Sequence, residues 1–122
     1  MAETIQRTVL VVPVYAYTSI GTIVGTEVWL KSLQDLVHGL IEPVDLPEFG
    51  CTLWVNEEGE LHQLPTNWKA NHMVMAGGGL TFGPLKGDAV VTGGTGPDGE
   101  TLGLDPTQLA QLLAAVMVEE ET

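Results

Sequence analysis

Apolar residues crowd the stretch Thr8 to Tyr17, where Val9, Leu10, Val11, Val12, Val14, Tyr15 and Tyr17 are aliphatic, β-branched or aromatic. That enrichment predicts a strand. Pro13 interrupts it and has no N–H to give a ladder, so the strand is expected at a sheet edge or with a bulge. Ser19 to Gly25, with Ile20, Ile23 and Val24 among Gly and Thr, reads as a second, weaker strand after a turn. From Trp29 to Leu40 the period changes. Trp29, Leu33, Leu36, Val37 and Leu40 fall on one face of a 3.6-residue repeat, which predicts a helix. Gly39 lies where a left-handed cap residue is favoured.

Ile41 to Leu46 returns to an extended pattern before Pro47. Cys51 to Val55 and Leu61 to Leu64 flank the polar run Asn56-Glu57-Glu58-Gly59-Glu60, which predicts a hairpin. Asn67 to Met75 is open to a short helix or an irregular segment. Gly77, Gly78 and Gly79 then break the chain. Asp88 to Thr92 is the clearest strand of the next stretch, and Gly93 to Gly103 is a loop. In the last element Asp105 can cap, Pro106 suits the first helical position, and Gln108 completes a capping box. Leu109, Leu112, Leu113, Val116 and Met117 form its apolar stripe. Glu119, Glu120 and Glu121 sit where the helix dipole disfavours negative charge, so the end is expected to fray.

The order β-β-α-β-β-β-α is not a strict alternation. It predicts an α+β fold: a small mixed or mainly antiparallel sheet with one mid-chain helix and one C-terminal helix. A β-grasp-like arrangement is one way to build it. One domain is expected over residues 1–118, followed by an acidic tail, 119–122. A chain of 122 residues can bury about two-thirds of its unfolded surface without a metal or disulfide staple.

Charge narrows the function. Sixteen acids face four bases, Arg7, Lys31, Lys69 and Lys86, for a formal net charge of −12. Direct DNA or RNA binding draws on clustered Lys and Arg, and four scattered bases do not supply it. The acidity favours solubility and speeds encounter with basic partners. Cys51 is the sole cysteine, so no intrachain disulfide forms, which fits a reducing cytoplasm. The N-terminus lacks the apolar core of a signal peptide, and no run approaches the ~20 apolar residues of a membrane span.

Candidate chemistry is sparse. Gly94, Gly96 and Gly99 spell a dinucleotide fingerprint, but no helix follows directly and no βαβ unit surrounds it, so a turn is expected. His38, His62 and His72 are spread along the chain, and Cys51 with His62 across the hairpin gives two ligands where zinc needs three or four. No metal or cofactor is expected. Glu57, Glu58 and Glu60 read as a solvated turn. The segment Leu64 to Ala70 is the leading candidate for binding. Asn67 brings a donor and an acceptor, Trp68 a flat surface and Lys69 a positive charge. With Trp54, Asn56 and Tyr15 they could line a pocket for a nucleotide or a protein side chain. The competing reading is that Asn67 caps a helix and Trp68 fills the core.

Several of these segments resemble a known family. They are Leu33-Gln34-Asp35-Leu36-Val37-His38-Gly39-Leu40-Ile41-Glu42-Pro43-Val44, Leu53-Trp54-Val55-Asn56-Glu57-Glu58-Gly59, Leu64-Pro65-Thr66-Asn67-Trp68-Lys69-Ala70, and Gly83-Pro84 with Gly87-Asp88-Ala89-Val90-Val91. The chain is similar to small proteins encoded by bacteriophages, especially those infecting actinobacteria, and by some bacteria, grouped as a domain of unknown function. Members often carry two basic residues after the Asn; here Trp68 and Lys69 stand there. The resemblance implies a phage accessory protein in the host cytoplasm and brings no catalytic residue. Three functions follow as expectations. The first is a non-catalytic counter-defence protein that sequesters a nucleotide-type immune signal or blocks a host protein. The second is an acidic nucleic-acid mimic. The third is a small hydrolase using Asp88, Glu42 and His62. Self-association into a homo-oligomer is also expected from an edge strand and the C-terminal stripe.

Overall fold

The computed structural model describes residues 5–25, 29–81 and 83–120. Among them the order is β1 (Gln6–Val12), β2 (Ser19–Val24), α1 (Trp29–Val37), β3 (Ile41–Leu46), β4 (Cys51–Asn56), α2 (Trp68–Ala76), β5 (Ala89–Gly93) and α3 (Pro106–Glu120). The strands form one sheet in the order β2-β1-β5-β4-β3. Every pairing is antiparallel. The α+β expectation holds. The β-grasp-like variant, which sets its first and last strands side by side in parallel, is not what forms.

Two hairpins, β1–β2 and β3–β4, flank the central β5. All of β5 is buried, as is nearly all of β4. Strand alternation then divides the core into two layers. Val9, Val90, Leu33, Val37 and Ile23 pack on one face, beneath α1. Leu10, Val12, Val44, Leu46, Leu53, Val55 and Val91 pack on the other, against Met73 and Val74 of α2 and Leu112 and Val116 of α3. The sheet is thus covered on both sides, which is why β4 and β5 are buried at nearly every position.

Four local expectations are corrected. Tyr15 and Tyr17 are not strand residues, because β1 ends at Val12. Pro13 lies just past that end, so β1 is an interior strand with β2 and β5 on its two sides. The second strand of the expected 51–64 hairpin does not form. Both edges of β4 are taken by β3 and β5, so residues 57–63 fold into consecutive turns instead. His62 N–H donates to Glu58 O and Leu64 N–H to Gly59 O. Finally, the left-handed residue that ends α1 is His38 (φ 65°), one position before the expected glycine. Gly39 is needed for room: a Cβ there would lie 2.7 Å from Asn56 Nδ2.

The capping box forms as read. Gln108 N–H donates to Asp105 Oδ1 at 2.8 Å, and Asp105 N–H donates to Gln108 Oε1 at 3.0 Å. Gln108 Nε2 also donates to Phe49 O and Gly50 O, pinning α3 to the β3–β4 turn. The backbone of α3 continues through Glu120; Glu121 and Thr122 lie outside the described residues. Asp105→Ala should cost about 1 kcal/mol. Gln108→Ala should cost more, because it also releases the turn. Urea unfolding of both variants checks the ranking, and equal losses would contradict the pinning role.

Candidate functional site

One end of the sheet is assembled around Asn67. Pro65 precedes it, and Asn67 takes an extended conformation (φ −101°, ψ 91°) to cap α2. Its Oδ1 accepts from Ala70 N–H at 3.0 Å. Its Nδ2 donates to Val12 O at 2.8 Å and to Gly87 O at 3.0 Å. The side chain is fully buried. It therefore ties the end of β1, the entry to β5 and the start of α2 to one another. Gly87, at φ 86°, adopts a backbone conformation that suits glycine at this close approach.

Asp88 adds a second tie. Its Oδ1 accepts from Val14 N–H at 2.8 Å, and its Oδ2 lies 3.0 Å from His38 Nε2. That pair links the loop after β1 to the end of α1. Lys69 supplies a third tie by donating from Nζ to Ala16 O. The loop of residues 13–18 is thus fastened at Val12, Val14 and Ala16. It presents Tyr15 and Tyr17 outward, 88% and 79% exposed, beside the first turn of α2, where Trp68 is 64% exposed. Both tyrosines of the chain and one of its three tryptophans face solvent at this end.

The six expected binding residues are divided by the fold. Tyr15, Trp68 and Lys69 lie at this end, where Lys69 donates to Ala16 O beside Tyr15 in the chain. Asn67 belongs to the framework beneath them, as the capping reading held, but Trp68 does not fill the core. Trp54 lies half-buried on the α1 face, its Nε1 donating to Thr92 Oγ1 at 2.9 Å. Asn56 is buried and structural. Its Nδ2 donates to Val37 O and His38 O, and its Oδ1 accepts from Glu58 N–H. Sequence reasoning passed over Tyr17, hidden in an apparent strand, and His38, whose partner Asp88 is distant in the chain.

An open cleft of about 560 Å³ lies along β3, lined by Glu42, Glu57, Glu60, Lys86, Leu80 and Pro84 among others. Its charged groups are the carboxylates of Glu42, Glu57 and Glu60 and the amine of Lys86, which lies 3.6 Å from Glu60. The residues of the hydrolase reading are engaged separately: Asp88 with His38, His62 with Glu58 at 3.4 Å, and Glu42 in the cleft wall. The Gly94–Gly99 loop closes on itself. Gly96 N–H donates to Glu100 O, and Asp98 N–H to Glu100 Oε2, so the chain's own carboxylate takes the amide a phosphate would use. Among the described residues no group of three His, Cys, Asp or Glu could hold a metal, and no helix is long and apolar enough to cross a membrane.

Over residues 7–117 the sequence matches the family described as a domain of unknown function, DUF3846. The chain belongs to the DUF3846 family. Among solved structures, this DUF3846 chain is similar to the crystal structure of the small RNA methyltransferase HEN1, with TM-score 0.58 and 10% identity. The match covers 90% of this chain and 16% of that one, and at such identity it describes a shared fold alone. No curated protein matches the DUF3846 chain significantly.

The lone thiol of this DUF3846 chain is buried, and Cys51 Sγ lies 3.4 Å from Phe49 O. Burial, with the Asp105 carboxylate as a second cause, pushes Cys51 up from 9.0 to about 11. The folded thiol keeps its proton where the unfolded one loses it. Stability from this source is complete below about pH 9 and is lost as pH rises towards about 11. Unfolding free energy measured across that window should fall more steeply for the wild type than for Cys51→Ala. Parallel curves would contradict it.

Proposed function

We propose that this DUF3846 chain is a non-catalytic phage accessory protein that works in the host cytoplasm, as counter-defence, by docking on a basic host protein through Tyr15, Tyr17 and Trp68. The carrying observation is that these aromatics are exposed on a framework fixed by Asn67, Asp88 and Lys69. Aromatic anchors held in place before binding lose little entropy when covered, and such residues dominate protein–protein affinity. The net charge of −12 would steer a basic partner to the surface and set the salt dependence of encounter.

Charge also weighs between a protein and an anionic signal. Arg7 donates to Thr101 O and lies 4.9 Å from the Trp29 ring centroid. Lys31 pairs with Asp35, Lys86 with Glu60, and Lys69 holds Ala16 O. Each base already has a partner within the chain, so a phosphate would have to displace one. That favours a host protein over a nucleotide as the ligand.

The test compares affinity purification from infected cells using the wild type and Tyr15→Ser/Tyr17→Ser/Trp68→Ser. A basic host protein should be retained by the wild type, weaken with added salt, and fall at least about tenfold with the triple variant. All three positions are exposed, so thermal unfolding should be little changed. Equal retention by both proteins would refute the assignment. Calorimetric binding of a cyclic or ADP-ribose-type nucleotide would replace docking with sequestration.

A further inference from the structure

The two edges of the sheet are built differently. Glu57 N–H donates to Leu40 O, which fixes the alternation along β3 and β4. Glu42, Val44 and Leu46 then bond to β4, while Ile41, Pro43 and Asp45 turn their backbone groups outward. Pro43 has no N–H to offer on that side. Further along the same edge, a Cβ on Gly79 would lie 2.5 Å from Asp45 O, and Glu48 N–H donates to Gly77 O. A proline, acidic side chains and the 77–79 segment therefore blunt the β3 edge, the usual protection against strand addition.

Among the described residues the β2 edge has none of these devices. Gly25 N–H donates to Ile5 O at 2.7 Å, which sets the phase of the β1–β2 ladder. Ser19, Gly21 and Ile23 bond to β1, and Ile20, Thr22 and Val24 direct their N–H and C=O groups away from the sheet. Among the described residues no further backbone hydrogen bond reaches these three. Ser19–Val24 contains no charge and no proline, in a chain of net charge −12. On the face opposite α1, Ile20 is 56% and Val24 49% exposed.

We infer that β2 is the interface of a two-fold dimer, in which it pairs antiparallel with β2 of a second copy to make one continuous sheet. The outward positions specify the register. Pairing Thr22 with its own counterpart sets Ile20 opposite Val24 of the other chain and Val24 opposite its Ile20. All three outward pairs are then hydrogen-bonded, more than any shifted register allows. The same register covers each half-exposed β-branched side chain with its complement, a favourable cross-strand pair. A second copy meets no like charge on the strand itself, and the arrangement closes because the interface is isologous.

The test uses single cysteines in the Cys51→Ala background. A hydrogen-bonded antiparallel pair has a Cα separation of about 5.5 Å, within disulfide reach. Thr22→Cys should cross-link to its own copy under mild oxidation. Ile20→Cys and Val24→Cys should each fail alone and cross-link when mixed. Sedimentation equilibrium of the unaltered chain should give a two-chain mass, falling to one chain with Ile20→Lys/Val24→Lys. A one-chain mass for the unaltered protein at high micromolar concentration would overturn the dimer. Equal cross-linking by the three single cysteines would overturn the register. The double lysine variant alters exposed positions, and its far-ultraviolet circular dichroism should match the wild type; a two-chain mass for that folded variant would also refute the interface.

Discussion

The buried amide of Asn67 is the constraint on which the working end of the molecule depends. One side chain satisfies the carbonyls of Val12 and Gly87 and the Ala70 N–H in the first turn of α2. These groups come from three elements, and each would be costly to bury unpaired. Asn71 extends the stitching. Its Nδ2 donates to Asn67 O and its Oδ1 accepts from Leu85 N–H, binding the irregular chain before β5 to the same helix. The loop carrying Tyr15 and Tyr17 has a defined position because what lies beneath it is fully bonded.

The architecture separates two kinds of surface. The centre of the sheet is closed on both faces by helices, and its apolar strands serve stability. What is left for recognition lies at the margins: the aromatic end beyond β1, the carboxylate-lined cleft beside β3, and the bare strand β2. Acidic charge cooperates with this division. The few bases have partners within the chain, so the molecule keeps its net charge of −12, while β2 itself carries no charge.

Local chemistry was legible wherever near neighbours in the chain decide the outcome. The capping box at Asp105 and Gln108, the amphipathic period of α1, the extended stretches that become β3 and β4 and the turn at Gly94–Gly99 all follow from side chains acting on backbone a few residues away. The capping role of Asn67 was one of two readings. What could not be read were matters of partner choice. The hairpin expected across residues 56–60 had suitable turn chemistry, but β4 had better partners in β3 and β5, and an antiparallel strand has only two edges.

By itself the sequence determined an α+β domain, the identity of most elements, a strongly negative surface and a shortage of cations for binding anions. These are sums or short-range properties of residues. Only the tertiary structure decided that β1 is interior, that Trp54 and Asn56 are framework rather than contact residues, and that Tyr15, Tyr17 and Trp68 share one end. It also decided which edge is blunted. The reason is that burial and edge position depend on contacts between residues far apart in the chain, and hydrophobic association is non-directional until packing and hydrogen-bond satisfaction select a single arrangement.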